Sequence, residues 1–580
     1  MTTNKKPLAL ITSFGGINAS GRSSDYIGYK NLIFDSLNKE DQLDVLKDLA
    51  VTQNKITCIG KTWETSSGDS IELKSYLKKN SSTIRADTMV RKIDRELYDP
   101  NGIILDQIQA SAAGQLPTGF DPGSFYPSRQ HPKAIEMTVF GMSDTLGQFG
   151  INWSEIQKKV NPDQIAVFSG SAIGNMDKYG FGGMLQSRLK SSRASSKNLP
   201  FGLTEMSADF INAYILGNVG RTGHVVGACA TFLFNLQLGK EIIENGRARV
   251  VVVGSAEAPI TPEIIDGFYA MSALSDDKRM VEIQSQLNES SEVPNQRKAC
   301  RPFGENIGMV MGESAQFFIL MDEDLALETG AEIYASVQTV VAHADGFKSS
   351  ISGPGIGNYI TMAKCVAEAN KLLGLKSLQK ETYVHSHGTG TIANRTTESH
   401  ILNKVAKVFG IKSWPVTGIK SYLGHSMAAA AGDQLSCVLG TWNKGIVPRI
   451  HSIESVAEDV FDENLNILIE DKIEDINFYK GAFLNAKGFG GNNASALIIS
   501  PEVTKALIKK RHTDKELKSY AKKLEATRKK AKKYNQAAST GNYSTIYKFN
   551  DKVLLGKNDL EMTKDKIKLK GYKKEINLKP

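Results

Sequence analysis

The sequence predicts an α/β protein, and three observations carry that expectation. Short Val/Ile-rich runs alternate with longer amphipathic stretches. The longer stretches stop at glycine, the residue favoured just past a helix C-terminus. The chain has 580 residues and 41% hydrophobic content, enough for large cores and two or more domain-sized units.

The strand candidates, in order, are "QIAVFSGS" (164–171), "RVVVVGSAE" (249–257), "TYVHSHGT" (382–389) and "ASALIIS" (494–500). The helix candidates are "FLFNLQLGKEIIENG" (232–246), "ITMAKCVAEANKLLG" (360–374) and "AGDQLSCVLGTWNKG" (431–445). This alternation implies largely parallel strands covered by helices. The polar, weakly periodic stretch from about 60 to 135 reads as an elaboration on the core.

Composition excludes several classes. The five cysteines (Cys58, Cys229, Cys300, Cys365 and Cys437) include no CxxC pair, so neither a disulfide framework nor a zinc ribbon is expected. No metal constellation is apparent. The opening "MTTNKKPLALITSFGG" enters a strand-length apolar run without a signal-peptide pattern, and no run is long enough to span a bilayer. A cytoplasmic protein without membrane association is expected.

Charge is uneven. Residues 501–580 hold 23 Lys and Arg against 9 Asp and Glu, whereas the whole chain has a net charge of +9. The tail reads as a basic helix to about residue 535 followed by a polar end. Two readings stand for it: a solvated, loosely ordered end, or a field that attracts an acidic partner. It lacks a nucleic-acid-binding motif, so nucleic acid is not an expected partner.

The stretch "VVGACATF" (225–232) reads as a buried β run that stops at Gly227-Ala228, presents Cys229 and turns helical. Cys229 is either a small core residue or a nucleophile whose thiolate the following helix N-terminus would favour. Three loops downstream add chemistry: "HSHGTGT" (385–391), "GIKSYLGH" (418–425) and "AKGFGGNNA" (486–494). Each alone reads as a polar or Gly-rich turn, and none is a P-loop. Their occurrence in this order after a cysteine elbow is what makes them informative.

With "GSAEAPITPEIIDGFYAMSALS" (254–275) and "RPFGENIGMVMGES" (301–314), these segments resemble the β-ketoacyl synthases of the thiolase superfamily over about 220–500. "LITSFGGINASGRSS" (10–24) and the extended N-terminal half more loosely resemble a long bacterial branch. That branch contains 3-oxoacyl-[acyl-carrier-protein] synthases that initiate fatty-acid synthesis from acetyl-CoA.

The resemblance implies a five-layer α-β-α-β-α sandwich of two similar halves. One half, residues 1–300, holds Cys229; the other, 301–500, holds both histidines; 501–580 is a basic extension. It also implies a homodimer packed edge to edge through a strand near the nucleophile. The implied reaction is a decarboxylative condensation of a Cys229-bound acyl primer with malonyl-acyl-carrier protein. The backbone N–H groups of Cys229 and Phe489 would form the oxyanion hole. His387 and His425 would hold the enolate oxygen, and Lys420 would set the local field. Thr389 and Thr391 would grip the phosphopantetheine arm, Phe489 would act as a gate, and Phe268 would line the acyl pocket. The expected partners are acyl-carrier protein and acetyl-CoA or another acyl thioester, with no cofactor of the enzyme's own.

The chain departs from the family's pattern at several points. Arg395 follows Asn394 where Asp is common, although Glu398 is present. Gln434 stands where an acid often pairs with the lysine, with Asp433 adjacent, and Asn492 replaces a common threonine. A thiolase would carry a second cysteine in the last Gly-rich bend, and a chain-length factor would lack Cys229. An elongating or polyketide-type ketosynthase and a non-catalytic carrier-binding scaffold remain the alternatives. Cys58, Cys300, Cys365 and Cys437 are expected to be packing residues, and His343 and His451 ordinary polar contacts.

Overall fold

The computed structural model describes residues 6–94, 109–287, 292–351 and 353–579. Two mixed sheets form its frame. The first runs Leu10–Asn18, Ser314–Met321, Val250–Glu257, Ile165–Gly170 and Arg221–Gly223. The second runs Ala335–His343, Asn492–Ile499, Gly481–Gly488, Thr382–His385, Trp414–Thr417 and Leu465–Ile467. They touch edge to edge only where Leu10 and Ile11 pair with Ser336 and Ala335.

Side-chain alternation stacks the layers. Val250 and Val252 face the helix Lys133–Phe149, together with Met137 and Phe140. Their neighbours Val251 and Val253 face the opposite way, onto Phe232, Leu233 and Leu236 of the helix Thr231–Glu244. Leu435, Val438 and Leu439 of the helix Ala430–Lys444 share that core with Leu484, Ala496 and Ile498 of the second sheet. The outer face of the second sheet (Val384, Phe483, Leu497) packs on the helices Gly357–Leu373 and Ile392–Val408. The order is therefore helix, sheet, helix pair, sheet, helix pair. Strands buried on both faces explain the near-continuous Val/Ile runs in the sequence.

The strand Ser314–Met321 lies between Leu10–Asn18 and Val250–Glu257. The half that carries Cys229 therefore continues to Met321, beyond the boundary near 300 expected from sequence. The elaboration begins with an antiparallel sheet of Ile56–Ile59, Thr62–Thr65 and Ser70–Ile71, followed by two short helices. Its residues 95–108 lie outside the described residues.

The tail differs from a solvated helix with a loose end. The helix Asp514–Ala538 opens on a capping box at Thr513 and Glu516. Tyr520, Leu524, Thr527, Tyr534 and Ala538 are buried at spacings of four, three, seven and four. That is a helical stripe, and all but Thr527 belong to the same core as the helix Lys133–Phe149. The lysines occupy the remaining face, which is why composition alone reads as solvated. No described helix is long and apolar enough to cross a membrane.

Candidate active site

Cys229 does not follow a buried strand. The strand ends at Gly223, and Val225 and Val226 are 40% and 46% exposed because this strand is the sheet's free edge. Cys229 sits in a 3₁₀ turn, Ala228–Ala230, directly before the helix Thr231–Glu244. Ala228 holds a left-handed φ of 49°, a conformation disfavoured for a residue with a side chain and often found at sites. Thr231 fastens the elbow: its Oγ1 accepts the Gly227 N–H and donates to the Ala228 carbonyl.

The second half brings three loops to this elbow. His387 follows the strand Thr382–His385 by two residues. Glu398, completely buried, accepts the backbone N–H of His387 at 2.6 Å and of Gly388 at 2.9 Å. It also accepts the amides of Asn394 and Asn485. His425 is held between Val310 and Gly312, donating its N–H to one and accepting from the other. The hairpin after Gly481–Gly488 carries Phe489. Gly488 permits its approach, since a Cβ there would lie 2.2 Å from the Gly227 carbonyl oxygen.

Cys229, His387, His425, Thr389, Thr391 and Phe489 line one cavity of about 150 Å³. The two imidazoles stand edge to face, with ring centroids 5.4 Å apart. The backbone N–H groups of Cys229 and Phe489 act on the Cys229 sulfur to favour its anionic form. Phe268 packs in the apolar cluster around Cys229, its ring 6.0 Å from that of Phe489, and lies behind the cavity wall.

Electrostatics corrects the sequence reading of the sulfur. Burial pushes the Cys229 thiol up to about 12, and the opposing pull of Lys420 and the turn's N–H groups is smaller. Desolvation therefore favours the neutral thiol as the resting group. Burial, reinforced by Lys420, holds both histidines well below the ordinary imidazole range, so they are neutral at pH 7. The Lys420 ammonium donates to the His387 carbonyl oxygen. Burial lowers its pKa, and Glu398 opposes this.

Gln434 does not replace an ion-pair partner of Lys420. Its amide donates to the carbonyls of Ser386 (2.8 Å) and Asn485 (3.3 Å). Asp433 is buried and accepts from Asn18, Ser314, Gln316 and Ser426, so it joins both halves beside His425. Among the described residues no carboxylate lies within 4 Å of the Lys420 ammonium.

Sequence reasoning passed over three residues. Glu257 ends its strand buried and accepts the N–H groups of Ala172 (2.7 Å) and Ala428 (3.2 Å), tying the turn after His425 to the first half. Burial raises it to about 7. Asn485 and Lys487 alternate on the strand before Phe489; the signal for them was a polar residue at either position of a buried strand. Cys300, Cys365 and Cys437 are buried as expected, whereas Cys58 is half-exposed on a hairpin. His343 contacts Lys364, and His451 stacks on Tyr422.

Residues 55–326 match the β-ketoacyl synthase N-terminal domain, and 334–454 match the C-terminal domain. The chain is 39% identical to the β-ketoacyl-[acyl-carrier-protein] synthase FabY of Pseudomonas aeruginosa, over 98% of each chain. It is 29% identical to the 3-oxoacyl-[acyl-carrier-protein] synthase 2 of Staphylococcus aureus, over 57% of this chain and 76% of that one. The crystal structure of the noncanonical ketosynthase FabY from P. aeruginosa superposes with a TM-score of 0.95, covering 100% of this chain and 98% of that one. A β-ketoacyl synthase from Burkholderia phymatum, at 20% identity and a TM-score of 0.60, shares the fold, covering 85% of this chain and 99% of that one. With both domains matched in order and a relative of this similarity aligned end to end, the chain belongs to the β-ketoacyl synthase family, acyltransferases that form carbon–carbon bonds.

Proposed function

We propose that the protein is a 3-oxoacyl-[acyl-carrier-protein] synthase that condenses a Cys229-bound primer, acetyl from acetyl-CoA, with malonyl-acyl-carrier protein. One observation carries the reading: a thiol, two neutral imidazoles and two converging backbone N–H groups share one small cavity. In the first half-reaction the Cys229 sulfur bonds to the primer carbonyl carbon. The thiol proton leaves with the departing CoA thiolate, and the N–H groups of Cys229 and Phe489 hold the oxyanion. In the second, the malonyl carboxylate–carbon bond breaks and its electron pair enters an enolate. His387 and His425 donate to the enolate oxygen. The carbanion then attacks the Cys229 thioester carbonyl, the carbon–sulfur bond breaks, and the departing thiolate takes one proton from water to restore the thiol.

The crowding behind Cys229 supports a short primer. Ile264, Ile265, Phe268, Met309 and Met427 are all buried in its cluster. The free edge at Arg221–Gly223, with exposed Val225 and Val226 six residues or fewer from Cys229, supports a homodimer paired through that strand.

The test offers acetyl-CoA and a series of acyl-carrier thioesters together with malonyl-carrier protein. It reads the mass added to Cys229 and the release of CO₂. Acetyl labelling with CO₂ release is expected. Labelling by longer acyl groups alone would favour an elongating enzyme. Carrier binding without CO₂ release would favour a scaffold.

A further inference from the structure

Lys348 and Lys487 line the cavity, and the two half-reactions above use neither. Lys487 lies on the strand Gly481–Gly488, half-buried in the cavity wall. Its main-chain N–H donates to His387 Nδ1 at 3.3 Å. Its ammonium donates to Thr397 Oγ1 at 3.0 Å, a neutral acceptor, and among the described residues no carboxylate lies within 4 Å of it. Burial lowers its pKa against the more distant pull of Glu398 and Asp345. A partly desolvated cation with one neutral acceptor keeps two donors free and costs stability unless an anion completes it.

The other cavity-lining ammonium, Lys348, is already occupied by the Gly353 carbonyl (3.0 Å) and Asp345 (3.4 Å). His387 and His425 are neutral. Lys487 is therefore the cavity's available positive charge. Of the two acyl units that must enter, the primer is neutral and the extender carries a carboxylate.

We infer that the Lys487 ammonium receives the carboxylate of the extender thioester and thereby separates extender from primer in the second half-reaction. This rests on the ketosynthase reading above. The chemistry gives the contact a distinct kinetic signature. As the carbon–carbon bond to the carboxylate breaks, the negative charge moves to the enolate oxygen at the histidines and CO₂ leaves uncharged. The lysine thus binds the ground state better than the transition state. Removing it should raise KM while kcat holds or rises.

The experiment compares wild type, K487M and K487R with malonyl-carrier protein, malonyl-CoA and malonyl-pantetheine, and with acetyl-CoA labelling of Cys229. The expected result is a KM for every malonyl substrate at least about tenfold higher in K487M, equivalent to about 1.4 kcal/mol. K487R should restore most of it, and the malonyl-to-acetyl selectivity ratio should fall. A KM rise shared by malonyl-CoA and acetyl-CoA but absent with malonyl-pantetheine would assign the lysine to the carrier-arm phosphate and overturn the inference. So would a kcat loss at unchanged KM, which marks displacement of His387. Wild-type enzyme that releases no CO₂ overturns the ketosynthase reading itself; CO₂ release with KM unchanged in K487M overturns only this inference.

Discussion

His387 Nδ1 accepts the backbone N–H of Lys487 at 3.3 Å. Because the ring is neutral, its proton is on Nε2. A main-chain group of the last hairpin thus sets the tautomer of a histidine from another loop, and a side-chain substitution at 487 leaves that donor in place.

His387→Ala should therefore remove one enolate donor and leave the Cys229 turn intact. CO₂ release from malonyl-carrier protein is expected to fall about 10²–10³-fold, as for loss of one oxyanion-type donor. Acetyl labelling of Cys229, followed by intact mass, should persist. Equal loss of both activities would contradict the separate roles.

Burial holds the Cys229 thiol up to about 12. A raised pKa keeps the neutral thiol dominant until high pH, so alkylation by iodoacetamide should climb about tenfold per pH unit from 7 to 10 without a plateau. A plateau near pH 7–8 would show that the helix terminus outweighs desolvation after all.

Gln434 offers its amide to two carbonyls. Q434E substitutes an acceptor for that donor and should cost about 1–3 kcal/mol. The introduced carboxyl, facing carbonyls in a buried site, has its folded-state pKa raised. Its stability contribution is then retained at low pH and lost as pH rises. The drop in Tm relative to wild type should be larger at pH 8 than at pH 5; the reverse order would show a stabilising pair with Lys420.

The basic tail is a packing element. Tyr534 lies over Gly147, and its hydroxyl donates to Asp144 at 2.8 Å. Tyr534→Ala should cost about 3–5 kcal/mol, the range for large-to-small aromatic truncations, and lower Tm accordingly. The first half of that helix contacts Ala331 and Glu328, beyond Met321. The site lies at the other end of the strand Ser314–Met321, about 25 Å away at about 3.3 Å per residue. Replacing exposed Lys515, Lys518 and Lys522 of that first half with Gln should leave kcat/KM for carrier protein within about twofold at physiological salt, where the screening length is about 8 Å. A larger, salt-dependent fall would restore the steering role that the tail's charge suggests.

The α/β class, the strands at 165–170, 250–257, 382–385 and 492–499, and the order of cysteine, histidine and glycine loops were all legible in the sequence. These properties are local: periodicity, capping and turn chemistry act between residues a few positions apart. The sequence also singled out Glu398, Asp433 and Gln434, but their partners come from strands and loops far along the chain. Whether Val225 and Val226 are buried depends on where the strand just before them falls in the sheet, and that strand is the edge. The basic helix shows its lysines in composition and its core stripe only against the helix Lys133–Phe149. The sulfur's acidity was decided by the tertiary structure as well, since desolvation is set by every group that closes over it.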